Sequence, residues 1–336
     1  MNLDPLSELW DIEWYYKISI YGYFSKKVMA FFPLIPILIK FFNIFGIPLI
    51  GVSLLNNFLC YLTGILFFNI SDSIYKNDIE ASKFILFIWL FSPIRVYTIV
   101  PYTESLFIFL CTLSFYLYKK RMNPYILGIT IGLSVMTRNV GSIWFFVLFI
   151  MFVIDFLKNN KKEKIMYIIK TYIPATIISC LYPLYLQLKF GDWKLFMTSQ
   201  YEYWNKVKTF NIFEPLIYDL KLFFSKTDFF SFYVILTIIF TFTTLFIVLY
   251  FLFHSIKVER FQKIELILFL CGTLIICLTT YKVYPTDAAT CSFYRYIFGI
   301  FSIYLLPHKL NKKILIIFIL FYIIVSVLFP SIFFIC

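Results

Sequence analysis

Residues 104–121 read Glu104-Ser105-Leu106-Phe107-Ile108-Phe109-Leu110-Cys111-Thr112-Leu113-Ser114-Phe115-Tyr116-Leu117-Tyr118-Lys119-Lys120-Arg121. A carboxylate opens the stretch, about four helical turns without a charge follow, and three consecutive cations close it. An apolar run ended by lysine and arginine reads as a helix inside a membrane with its basic end in the cytoplasm. The same grammar recurs along the chain and sets the fold class.

Of 336 residues, 61% are hydrophobic and 14% charged, with 44 Phe and 26 Tyr. The mean hydropathy is +0.85. That balance excludes a cytosolic globular enzyme, and 10 Gly, 13 Pro and scattered cysteines exclude collagen-like, disordered and disulfide-scaffold chains. Apolar runs at 51–70, 84–100, 104–118, 124–138, 141–157, 165–186, 229–253, 264–280, 294–307 and 314–335 predict an all-α, multi-pass integral membrane bundle of about ten spans. The short runs 124–138 and 294–307 suit interior helices. Segment 28–42, split by Pro33 and Pro36, suits an interfacial or re-entrant element. With no internal repeat, one domain is expected over 1–336, with a first outer segment at 1–50 and a long outer loop at 187–228.

The net charge of +12 would suggest nucleic acid in a soluble protein. Here the cations gather in loops 71–83, 119–123, 158–164, 254–263 and 308–313, the cytoplasmic mark of membrane proteins, and no nucleic-acid partner is expected. Segments 1–50, 101–103, 187–228 and 281–293 then face outward and carry most of the acids: Asp4, Glu8, Asp11, Glu13, Glu104, Asp192, Glu202, Glu214, Asp219, Asp228 and Asp287. No Cys-x-x-Cys occurs and His254 and His308 lie in basic loops, so no metal site is expected. Residues 1–23 lack an apolar h-region, so no signal peptide is expected. Walker-type loops and Gly-x-Ser-x-Gly elbows are absent.

Four constellations stand out. On a helix, Asp11, Trp14, Tyr15 and Ile18 share one face beside Trp10, which makes either a sugar-stacking wall with a general base or an interfacial aromatic belt. Tyr102 and Glu104 set a carboxylate at the outer end of a helix, where ionisable groups mark sites, with Arg95 either snorkelling or touching phosphate. Arg138 and Arg295 reach the outer face, each as a phosphate clamp or a structural ion-pair partner. In the outer loop, Phe196, Gln200, Tyr203 and Trp204 recur at helical spacing and suit an amphipathic cap.

Together, Trp10-Asp11-x-x-Trp14-Tyr15 with Ile18 and Gly22-Tyr23, Ala30-Phe31-Phe32-Pro33, Ser92-Pro93, Pro101-Tyr102-Thr103-Glu104-Ser105, Gly128-x-x-x-Gly132, Thr137-Arg138-Asn139-x-Gly141, Gly191-Asp192 with Gln200 and Trp204, and Arg295-Tyr296 resemble the PIG-V type mannosyltransferases. The likeness runs from about residue 8 to 305. It implies the GT-C class: a membrane glycosyltransferase with an outward active site, a polyprenyl-phosphate sugar donor and no further cofactor. It also implies Asp11 as base, with Trp10, Trp14, Tyr15, Tyr102, Glu104, Arg138, Asn139, Gln200, Trp204 and Arg295 around the substrates. Arg95 stands where the family carries a small residue.

The expected reaction moves mannose or a similar hexose from a polyprenyl phosphate to a hydroxyl of a glycan, glycolipid or protein, with inversion. Two other readings are a lipid or lipid-linked sugar transporter and a non-catalytic subunit of a glycosyltransferase complex. The Ile, Lys, Phe, Tyr and Asn bias favours a prokaryotic cell membrane, and an endoplasmic reticulum membrane is expected if the source is eukaryotic.

Overall fold

The computed structural model describes residues 10–75, 78–159, 162–225, 229–259, 263–283, 288–306 and 312–328. Asp4, Glu8, Asp228 and Asp287 of the outward acids, and Lys76, Lys161, Arg260, His308 and Lys309 of the basic loops, lie outside the described residues.

About 80% of the described residues are helical. In order the helices are α1 (Trp10–Tyr21), α2 (Leu34–Asn43), α3 (Pro48–Ile74), α4 (Ile79–Leu90), α5 (Arg95–Ile99), α6 (Glu104–Lys119), α7 (Pro124–Thr137) and α8 (Gly141–Asn159). They continue with α9 (Lys162–Phe190), α10 (Leu195–Glu202), α11 (Glu214–Ser225), α12 (Phe229–Glu259), α13 (Ile264–Thr279), α14 (Phe293–Phe298), α15 (Ser302–Leu305) and α16 (Lys312–Leu328). A 3-10 turn at Lys26–Ala30 and a two-stranded antiparallel ribbon, β1 (Lys206–Lys208) with β2 (Thr280–Lys282), complete the set.

Among the described residues, four helices are long and apolar enough to cross a membrane: Pro48–Ile74, Gly141–Lys158, Glu163–Phe190 and Tyr233–Ser255. Shorter apolar helices accompany them, among them Pro124–Thr137 and Ile264–Thr279. Their outward faces are rich in exposed Ile, Leu and Phe, such as Leu54, Phe58, Phe146, Ile177 and Phe246. This is a surface suited to lipid.

Two expected spans are broken. The run 84–100 divides into α4 and α5 because Pro93, followed by Pro101, cannot continue a straight helix. The run 294–307 divides into α14 and α15 at Gly299, the residue ending α14. Segment 28–42 is split as expected at Pro33, between the 3-10 turn Lys26–Ala30 and α2, whereas Pro36 falls in the first turn of α2, where no backbone donor is lost.

The chain packs as two compact units, Met1–Asp78 with Tyr97–Met197, and Ile79–Val96 with Thr198–Cys336. In the first, α7 lies along α9, and α6 packs against α3 and α7. Asn123 caps α7, its side-chain oxygen accepting from the Tyr125 N–H at 2.9 Å. A Cβ at Gly128 would stand 2.0 Å from the Thr171 carbonyl oxygen, and one at Gly132 would stand 2.7 Å from the Ile178 Cβ. The Gly128-x-x-x-Gly132 spacing is thus what lets α7 and α9 approach backbone to backbone. Trp144, fully buried, donates to the Ser114 hydroxyl at 2.7 Å.

In the second unit, α13 packs on α14 and α15, and α12 on α11 and α14. Tyr304 donates to the Phe298 carbonyl at 2.7 Å and meets the Ser92 hydroxyl at 2.5 Å. Lys263, expected in a solvated basic loop, is instead buried, its ammonium donating to the carbonyls of Leu305 at 3.0 Å and Leu306 at 3.2 Å. It satisfies acceptors at the end of α15, where a cation is favoured.

Candidate functional site

The first unit positions two groups of the expected site residues. Trp10 opens α1, and its side chain lies outside the described residues. Asp11 sits in the first turn of α1, half-buried, where the helix dipole favours a carboxylate. Trp14 and Tyr15 follow one turn on, and both engage Phe31: Trp14 stacks at 6.4 Å between centroids and Tyr15 meets it edge-on at 5.2 Å. Lys27 and Lys17 lie over the Trp14 ring, 4.7 and 5.4 Å from its centroid.

Phe31 is held in place by tyrosines. Tyr23 donates to the Phe31 carbonyl at 2.8 Å and Tyr182 to the Met29 carbonyl at 2.7 Å, their rings 5.2 Å apart. Burial, with Tyr182 close by, pushes the Tyr23 phenol well above its usual range, so it serves as a permanent donor. The 3-10 turn that leads into Phe31, the ring on which Trp14 and Tyr15 pack, is thereby pinned to α9.

The second group lies where α6 begins and α7 ends. The short connection at 120–123 makes these helices antiparallel neighbours, so their Glu104 and Arg138 ends coincide. The Arg138 guanidinium meets the Glu104 carboxylate at 2.8 Å, with Glu104 wholly buried and the Arg138 side chain 12% exposed. The Arg138 charge also lies 5.9 Å from the centre of the Phe107 ring. Asn139 is exposed beside the pair.

Tyr102 precedes Glu104 in a turn gripped from α3. The Asn56 amide donates to the carbonyls of Val100 at 2.6 Å and Tyr102 at 3.1 Å, and the Ser105 hydroxyl donates to the Asn56 carbonyl at 2.7 Å. At the other end of α6, about 24 Å away for 16 residues, Asp155 takes Arg121 at 2.6 Å and Lys164 at 2.9 Å. The unit therefore has one basic end and one end bearing the Glu104–Arg138 pair.

Gln200, Trp204 and Arg295 fall in the second unit. Gln200 is half-buried on α10, and Trp204 is half-buried just beyond it. Arg295 is buried on α14. The turn entering α14 is fixed by Asp219 of α11, whose carboxylate accepts from the Ala289 N–H at 2.5 Å, the Thr290 N–H at 3.1 Å and the Thr290 hydroxyl at 2.5 Å. Burial raises the Asp219 carboxyl above its usual range, opposed in part by these donors. Glu214 pairs with the Thr209 hydroxyl and accepts from Tyr281 at 3.1 Å. Arg95 spends its charge 5.5 Å from the Trp89 ring centre.

Sequence reasoning passed over Asn56 and treated Asp219 as one outward acid among several. The signal for Asn56 was there, a carboxamide inside the apolar run 51–70, where an unsatisfied polar group is expensive. Among the described residues no group of three or more His, Cys, Asp or Glu is placed to hold a metal ion. Comparison of the chain with family models, curated proteins and solved structures finds no match.

Proposed function

We propose that the chain is a multi-pass membrane glycosyltransferase of GT-C architecture, related to the PIG-V type mannosyltransferases. It transfers mannose or a similar hexose from a polyprenyl phosphate to an acceptor hydroxyl on the extracytoplasmic side, of a prokaryotic cell membrane in the favoured case. The observation that carries the reading is the α1 wall: a half-buried carboxylate, Asp11, one turn from Trp14 and Tyr15. Aromatic planes beside a carboxylate suit a pyranose and a base for its acceptor hydroxyl.

In this scheme Asp11 removes the acceptor proton as the hydroxyl oxygen attacks the anomeric carbon. The bond to the donor phosphate breaks on the opposite face, so the centre inverts. Guanidinium groups stabilise the departing phosphate through charge-assisted hydrogen bonds. Arg138 suits that role because Glu104 fixes one edge of its fork and so aims the planar group. The separation of this pair from the Arg121–Asp155–Lys164 end of the same unit agrees with a basic cytoplasmic side and an outward reaction.

The test is transfer by purified protein, in lipid, from radiolabelled polyprenyl-phosphate mannose to mixed cellular lipids and glycans. The proposal expects a mannosylated product with the anomeric configuration opposite to the donor. Intact donor after long incubation with every acceptor pool, by protein that is folded, removes the enzymatic reading in favour of transport.

A further inference from the structure

We infer that Asn56 is a positioning residue for Arg138: it holds the turn from which Glu104 projects, and Glu104 in turn aims the guanidinium at the donor phosphate. The inference deepens the transferase reading and rests on it, and one of its two tests is independent of transfer.

Asn56 lies within Pro48–Ile74, a helix long and apolar enough to cross a membrane, and is wholly buried. Its carboxamide nitrogen carries two N–H donors, and both carbonyls that it reaches belong to one turn, Val100 at 2.6 Å and Tyr102 at 3.1 Å. Among the described residues its Oδ1 accepts no hydrogen bond. The side chain thus acts as a donor only, and burying the unmatched oxygen is unfavourable. Leucine, of nearly the same shape, would fill the space without that cost, so packing does not account for a carboxamide here. What the carboxamide does is grip the turn.

The grip extends to both sides of Glu104. The Val100 carbonyl also accepts from the Tyr102 N–H at 2.7 Å, which draws the chain tight around Pro101. On the other side, the Ser105 hydroxyl donates to the Asn56 carbonyl at 2.7 Å and meets the Cys60 sulfur at 2.8 Å, one turn further along α3. Glu104 therefore stands between two anchors on the same helix. Its carboxylate meets the Arg138 guanidinium at 2.8 Å and the Thr103 hydroxyl at 3.4 Å. Asn56 bonds the turn and Ser105 rather than Arg138, so its influence on the guanidinium passes through Glu104. A shift of about 1 Å in a group that contacts the reacting atoms can cost on the order of 10²-fold in rate, which is why a donor buried behind the pair bears on it.

The first test is a double-mutant cycle on thermal unfolding in detergent, with Asn56→Leu, Arg138→Met and both together. Where Asn56 sets the pair, the pair is already loosened in Asn56→Leu, so adding Arg138→Met should lower Tm by no more than about half of what it does in the wild type. Additive losses overturn the inference, whether or not the protein transfers sugar. The second test is transfer from polyprenyl-phosphate mannose. Asn56→Leu should raise the donor KM about ten-fold, the equivalent of one hydrogen bond, and leave the acceptor KM within about two-fold. Asn56→Gln keeps the donor and should bring the donor KM back to within about three-fold of wild type. An unchanged donor KM in Asn56→Leu, or equal rises for donor and acceptor, overturns the inference. Wild type that transfers nothing removes the transferase reading and with it any role in aiming at phosphate. Asn56→Ala serves in both tests where Asn56→Leu does not fold.

Discussion

Removing one partner of the Glu104–Arg138 pair strands a charge in a place built to bury both. Glu104→Gln or Arg138→Met should each lower stability by about 3–5 kcal/mol, and the double variant Glu104→Leu, Arg138→Met should recover most of it. Thermal unfolding in detergent reads this directly, and single variants that melt like the wild type would contradict it. Asp219 gives a pH signature. Its carboxyl is raised by burial, so the folded chain keeps a proton that the unfolded chain loses. The stability so gained is full below the ordinary carboxylate value of about 3.9 and is lost as pH rises through the raised native value. The melting advantage of wild type over Asp219→Asn should therefore shrink as pH rises from the acid side, and an advantage that grows with pH would reverse the assignment.

The contact of α7 with α9 depends on Gly128 having no side chain. Gly128→Ala directs a methyl at the Thr171 backbone and should cost about 1–3 kcal/mol, read as a lower Tm in detergent. An unchanged Tm would mean that the helices separate without penalty. Such elements were legible in the chain to the extent that their determinants are local. Lys119 to Arg121 and Asn123-Pro124 mark where α6 stops and α7 starts, and both helices lie within a residue or two of their expected limits. The breaks in 84–100 and 294–307 were harder to see, because hydropathy ignores what Pro93 and Gly299 do to the backbone. Long-range partners were not legible at all. Glu104 and Arg138 each stood out alone, yet only the antiparallel hairpin joins them, and the hold of Asn56 on the 100–102 turn spans over forty residues.

For the whole molecule, the account requires that Glu104 and the 187–228 loop lie outside the cell and Lys120 inside. Impermeant thiol labelling of intact cells should modify cysteine introduced by Asp192→Cys and spare that introduced by Lys120→Cys, and the opposite pattern would invert the topology. The central proposal is that Asp11 is the base of an outward glycosyl transfer. The decisive measurement is mannose transfer from polyprenyl phosphate by wild type and Asp11→Asn side by side, with donor binding measured on both. The amide keeps the shape of the carboxylate but cannot take the proton, so turnover should fall by about 10²–10⁴-fold with donor affinity nearly unchanged. Turnover above about a tenth of wild type, in a regime where a general base is worth at least a hundred-fold, would contradict that claim and move the base to Glu13 or Glu104.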